Sequence, residues 1–269
     1  MAAKSTPDNR DVWRIFRIMA EFVEGFESLS PIGPAVTIFG SARSHTDDPY
    51  YLAAEETARL LVKKKFAVIT GGGPGTMEGA NKGAFEAGGS SVGLNITLPH
   101  EQMANRFATL SLDFHYFYAR KVMFLKYASA VICFPGGFGT LDEFFETITL
   151  IQTLKAVPVP VVLYGTHHWT GLIEWMRAQL AGRYIDANDL DIFRIVDTPR
   201  DAVAMVLEGR KKNWWMPKDR MISAAELQAQ PKTAPKDPRA QAEIISGAWA
   251  RETAEGTRYG RRPRRVNGK

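Results

Sequence analysis

The first pattern along the chain is amphipathic. Val12, Ile15, Phe16, Met19, Phe22, Val23 and Phe26 recur at spacings of three and four between charged positions, which predicts a helix over Val12–Phe26. Residues 1–10 ahead of it show no period and are expected to be a disordered leader, so residues 1–30 form a leader and one N-terminal helix. That helix precedes the first strand, and its apolar stripe must be covered by the body of the protein or by another subunit.

From Ala35 the pattern changes. Short apolar runs rich in β-branched residues (Ala35–Phe39, Phe66–Thr70, Ser91–Ile96, Ala130–Phe134, Pro160–Tyr164) alternate with stretches of helical period (Tyr50–Val62, Gly75–Ala87, Ala119–Tyr127, Leu141–Leu154, Trp169–Ala181). This alternation predicts an α/β, Rossmann-like, doubly wound fold: a mostly parallel sheet with helices on both faces. The unbroken apolar run Ala130–Phe134 suits the buried middle of such a sheet. The domain is expected over residues 31–215, with its patterned part from Ala35 to Glu208. Beyond Lys211 the pattern fades, and Gln228–Arg239 carries three prolines among polar residues. Residues 216–269 are expected to be a basic, loosely ordered tail with at most a short helix near Ala242–Ala250.

Composition narrows the picture. A hydrophobic content of 45% over 269 residues can fill a sizeable core. No apolar run approaches the roughly 18–20 residues that span a bilayer, and MAAKSTPDNRDVW lacks the apolar region of a secretory signal. The single cysteine, Cys133, excludes an intrachain disulfide framework and fits a reducing compartment. These features predict a cytoplasmic protein with no membrane partner. The net charge of +5 invites nucleic acid, but six basic residues and no acid lie from Arg258 onward, leaving 28 basic against 29 acidic residues elsewhere. The basicity belongs to the tail, which disfavours nucleic-acid binding by the folded surface.

Chemistry concentrates at strand ends, where ligands of open α/β sheets bind. Gly40-Ser41-Ala42-Arg43 follows the first run. Gly71-Gly72-Gly73-Pro74-Gly75-Thr76 follows the second, and Pro135-Gly136-Gly137-Phe138-Gly139-Thr140 follows the Cys133 run. Glycines let a backbone approach an anion, and the next helix offers unpaired N–H groups and a positive dipole end. Each loop alone could be ordinary turn chemistry; three neighbouring ones point to a nucleotide or sugar phosphate. The dinucleotide fingerprint fails, because Thr76 stands at its third glycine position and no acid ends the next strand. A P-loop is absent from all three turns. Gly89-Ser90-Ser91-Val92-Gly93 matches the hydrolase elbow in letters only, since a helix precedes it and a strand follows.

Glu143 has two readings. Thr140-Leu141-Asp142-Glu143 has the spacing of a capping box, with both side chains satisfying helix-start N–H groups. Alternatively, a carboxylate beside a phosphate cradle could face the ribose, where a glycosidic bond breaks through a cationic transition state. Arg120-Lys121 opens a helix after the aromatic strand end Phe114–Tyr118, which points the pair toward the same sheet edge; those aromatics could stack on a base or fill the core. The histidines assemble no metal set with cysteine or acid, and Cys133 reads as a small core residue.

Together these residues resemble the LOG (Lonely Guy) family of cytokinin-activating phosphoribohydrolases and their bacterial AMP-nucleosidase relatives. The signature P-G-G-x-G-T-x-x-E is complete as Pro135 to Glu143, Arg120-Lys121 matches the Arg-Lys helix start, and Gly71–Gly79 matches the upstream glycine loop with Glu78 and Asn81. The match spans roughly Val36 to Leu154. That loop reads G-T-M-E where many plant-type members have G-L-M-G. The resemblance implies hydrolysis of a nucleoside 5′-monophosphate to free base and ribose 5-phosphate, with no metal or organic cofactor. It implies that Gly136, Gly137, Gly139 and Thr140 hold the phosphate and that Arg120 and Glu143 carry catalysis. Gly40, Ser41, Arg43, Gly72, Gly73, Thr76, Glu78 and Lys121 would complete the substrate site. It further implies a homo-oligomer, a dimer or a hexamer built from dimers, the N-terminal helix placing the chain with the longer members. Relatives are often labelled lysine decarboxylases, yet no lysine here sits in a pyridoxal-phosphate context. The alternative is a non-catalytic carrier of a phosphorylated cofactor, as in the related molybdenum-cofactor carriers; both Arg120 and Glu143 favour the enzyme.

Overall fold

Seven strands form one sheet in the computed structural model, which describes residues 9–98 and 104–212. The strands are β1 (Ala35–Phe39), β2 (Ala67–Thr70), β3 (Ser91–Ile96), β4 (Leu110–Phe114), β5 (Ala128–Cys133), β6 (Val161–Tyr164) and β7 (Phe193–Val196). Their order is β4-β3-β2-β1-β5-β6-β7, and every pairing is parallel. The chain winds outward from β1 to one edge, returns, and continues from β5 to the other. The switch point therefore lies between β1 and β5, paired from Ala35↔Ala128 to Phe39↔Cys133, and a crevice opens beyond their carboxyl ends.

The side-chain alternation of β1 divides the core. Val36 and Ile38 face α2 (Pro49–Lys63), α3 (Thr76–Glu86) and α7 (Pro199–Lys212), where Ala54, Ala58, Leu61, Ala80, Ala84 and Val206 pack. Ala35 and Phe39 face the opposite layer of α4 (Phe117–Lys126), α5 (Phe138–Gln152) and α6 (Thr166–Gln179), with Met123, Phe124, Phe144 and Trp169. Both faces are thus sealed by apolar side chains, which explains the near-continuous hydrophobic character of the central strands. Local chemistry sets the helix ends: Asp48 accepts the Tyr50 N–H at 2.7 Å ahead of α2, with Pro49 in the first turn.

The N-terminal helix α1 runs from Asn9 to Leu29. Its packed side is Glu21, Phe22, Gly25 and Leu29, against α4. The Glu21 carboxylate accepts the backbone N–H groups of His115 at 2.9 Å and Tyr116 at 3.2 Å, tying α1 to the entry of α4. Of the apolar stripe, Phe22 packs on the body, whereas Ile15, Phe16, Met19 and Val23 are more than half exposed on this chain. Helix α5 begins at Phe138, three positions before the predicted Leu141. Strand β7 and helix α7 fill the last part of the expected domain with elements the sequence reading did not name, and β4 precedes the aromatic segment as a full strand. Among the described residues no helix is long and apolar enough to cross a membrane. The leader through residue 8 and the Ala242–Ala250 helix lie outside the described residues.

Candidate active site

Ser41 joins the three glycine-rich turns. Its N–H donates to Pro135 O at 3.0 Å, and its carbonyl accepts the Thr76 N–H at 2.9 Å. The turns after β1, β2 and β5 thereby become one surface. Two glycines make this closeness achievable. Gly75 adopts φ 70°, and a Cβ there would stand 2.3 Å from Ser41 O; a Cβ on Gly136 would stand 2.1 Å from Thr140 Oγ1. Neither position has room for a side chain, and Gly75 also needs a left-handed backbone.

Above this surface lies a cavity of about 710 Å³, within the range of small-molecule sites. Gly40, Ser41, Arg43, Arg120, Gly137, Gly139, Thr140 and Glu143, all singled out in the sequence, line it. One wall is the first turn of α5. Its N-cap is Gly137, with no side-chain cap, and the first backbone bond within the helix is Leu141 N–H to Gly137 O at 3.0 Å. The N–H groups of Phe138, Gly139 and Thr140 therefore have no partner along the helix axis and carry its positive dipole end. Nothing lies within 4 Å of a Cβ built on Gly137 or Gly139, so an anion can reach those N–H groups directly.

This geometry overturns the capping-box reading of Thr140 and Glu143. With the helix starting at Phe138, Thr140 is the third helical residue and Glu143 lies a turn further in. Neither side chain caps the end. Glu143 is free of that duty and is only 7% exposed in the cavity wall. Burial pushes its carboxyl up to about 7, with the Lys121 ammonium opposing that rise and Glu146 adding to it.

Arg120 enters from α4. Its guanidinium lies 5.2 Å from the Phe117 ring centre and 5.4 Å from that of Phe124. Its Nη1 makes only a 3.5 Å contact with Leu94 O, and its buried Nε has no hydrogen-bond partner. Burial presses its pKa down, while Glu143 and Asp142 counter that; a guanidinium stays charged through this range. A buried donor left unpaired costs about 1–3 kcal/mol, so Arg120 is arranged to meet an acceptor in the cavity.

Other expected site residues stand behind the wall. Gly72 packs on Asn95, and the Gly73 carbonyl accepts from Asn105 Nδ2 at 3.1 Å. Thr76 is fully buried, with its hydroxyl 3.3 Å from that of Ser44. Glu78 accepts the Tyr51 hydroxyl at 3.3 Å, and Tyr51, pushed up to about 12 by burial and then by Glu78, keeps its proton. Gly136 packs on Thr140, and Lys121 turns into the acidic side of α5. The sequence did not single out Met77, Ile96, Leu98 and Phe124, the apolar part of the lining. Their side chains are those of ordinary core residues, and only the aromatic segment containing Phe117 hinted at an apolar wall.

A parallel α/β sheet with a glycine-built cradle, and with Arg120 and the buried Glu143 lining one cavity at its switch point, defines a Rossmann-like α/β protein. The family model described as "Possible lysine decarboxylase" matches residues 77–206. Cytokinin riboside 5′-monophosphate phosphoribohydrolases are similar to the chain. The Mycobacterium tuberculosis protein is 29% identical over 154 residues, 56% of this chain and 81% of its own length. That of Rhodococcoides fascians is 30% identical over 123 residues, 44% and 62% of the two chains. The X-ray structure of TM1055, a structural-genomics target, superposes with a TM-score of 0.50 at 28% identity, covering 65% of this chain and 99% of that one. The family match and these relatives support membership of the LOG family.

Proposed function

We propose that this protein hydrolyses the N-glycosidic bond of a nucleoside 5′-monophosphate, AMP or an N6-prenylated AMP, releasing free base and ribose 5-phosphate. Glu143 carries the proposal: a buried carboxyl shares one cavity with the open first turn of α5. Phosphate on the N–H groups of Phe138, Gly139 and Thr140 leaves the ribose to reach toward Glu143. As the C1′–N bond breaks, its electron pair leaves with the base and positive charge spreads over C1′ and the ring oxygen. An ionised Glu143 stabilises that charge and takes a proton from the attacking water. The base gains a proton as it departs, so water alone balances the reaction. The Arg120 guanidinium, with its free Nε, orients the anionic substrate. Met77, Ile96, Leu98 and Phe117 offer an apolar surface for the base.

The names of the similar phosphoribohydrolases support this reading. A panel of nucleoside 5′-monophosphates beside the matching nucleosides tests it. Base release from the monophosphates, and far less from the nucleosides, is the expected result. Tight nucleotide binding with no release from any of them would favour a carrier instead. The exposed stripe of α1 supports a homo-oligomer, a dimer or a hexamer built from dimers, as the working form.

A further inference from the structure

Lys121 sits beside the site without lining the cavity. Its Nζ lies 2.7 Å from Asp142 Oδ2 and 3.6 Å from Glu143 Oε1, and it also pairs with Glu146 Oε2. One ammonium, itself mostly buried, therefore meets three carboxylates on one side of α5. Asp142 and Glu146 are the more exposed and the better seated, whereas Glu143, in the middle, is the buried one and has the longest contact. A small void of about 10 Å³ adjoins these groups, with Lys121, Glu143, Glu146 and Thr147 in its lining.

We propose that Lys121 is a positioning residue, its ammonium clamped by Asp142 and Glu146 so as to hold the neighbouring Glu143 ionised and facing the cavity. This rests on the glycosidase reading of Glu143, and it moves Lys121 from the substrate to the support of the catalytic carboxylate. The charged groups facing Glu143 are Lys121 and Arg120 from α4 and Asp142 and Glu146 from α5; the Cys133 thiol on β5 stays protonated under the influence of burial and of Glu143. Of these, Lys121 opposes protonation of Glu143 most strongly and Glu146 favours it. Opposite charges at such distances move a carboxyl down, and like charges move it up.

The two neighbours therefore predict opposite shifts. Lys121→Met should move the acid limb of the kcat profile to higher pH by about one pH unit or more, with kcat recovering in base. Lys121→Arg should restore the wild-type limb. Glu146→Gln, at a part-exposed site that leaves the ammonium in place, should move the limb to lower pH. The Glu143 carboxyl, followed by 13C NMR in the same variants with Glu143→Gln for assignment, should shift in the same directions. That titration reads without turnover, so a wild-type protein inactive on AMP would sink the glycosidase reading and leave this one separately decided. A Lys121→Met variant with an unmoved limb, unchanged kcat and raised KM would overturn the proposal and make Lys121 a substrate ligand. If Lys121→Met fails to fold, an unmoved Glu143 titration in Glu146→Gln overturns it.

Discussion

Glu143→Gln separates the cost of a catalytic carboxylate from its use. The carboxyl moves from an ordinary 4.5 to about 7 on folding, chiefly by burial. Below pH 4.5 it is protonated in both the folded and the unfolded chain, and its burial carries no charge penalty. As pH rises from there, the unfolded chain releases the proton while the folded chain keeps it, and the folded state loses stability. Above about 7 both are ionised and the penalty is complete, on the order of 3 kcal/mol. Glutamine keeps the shape and removes the charge. The variant should therefore be more stable than wild type at pH 8 by about 3 kcal/mol, and nearly equal to it at pH 4.5. Urea unfolding at the two pH values, with the slope checked for two-state behaviour, measures this difference directly. Base release should meanwhile fall by about 10²-fold or more. A variant destabilised equally at both pH values would refute the reasoning and make Glu143 a structural residue of α5.

Four further outcomes follow from the same geometry. Activity should climb as pH rises through about 7, because Glu143 must ionise; a profile flat from pH 5 to 9 contradicts its use as a base. Arg120→Lys should lower kcat/KM by about 10²-fold, since an ammonium cannot reproduce the planar guanidinium between Phe117 and Phe124; steady-state kinetics with unchanged circular dichroism check this. Gly139→Val should leave the melting temperature nearly unchanged, its Cβ meeting nothing within 4 Å, yet raise KM, whereas Gly75→Ala should lower the melting temperature through its φ of 70° and the 2.3 Å approach to Ser41 O. Phe16→Glu with Val23→Glu, on the exposed stripe of α1, should shift the sedimentation coefficient toward the monomer; an unchanged assembly would place the subunit contact elsewhere.

The central sheet was legible because its strands are buried on both faces and so read as unbroken apolar runs, β1 and β5 most clearly. The glycine turns beside them were legible for a related reason, since close backbone approach leaves few residue types allowed. Strands β4 and β7 were harder: Leu110–Phe114 alternates with exposed Ser111 and Asp113, and Phe193–Val196 is short and carries Arg194. The start of α5 was misjudged because Gly137 and Gly139 look like loop residues, although bare N–H groups at that end are what an anion needs. The orientation of α1 was left open, because an apolar stripe shows only that something covers it, the body or another subunit. Its packed side uses a glycine and a glutamate, whose roles as spacer and backbone acceptor leave no periodic signal. The apolar lining by Met77, Ile96 and Leu98 was hidden likewise, a cavity wall and a core being made of the same side chains.

The most direct test follows AMP through one turnover assay, with adenine and ribose 5-phosphate quantified together by chromatography. The account predicts that wild-type protein releases the two in equal amounts and that Arg120→Ala and Glu143→Gln, both folded, release neither at a comparable rate. Intact AMP after prolonged incubation with wild type, or equal release by the Glu143→Gln variant, would contradict it.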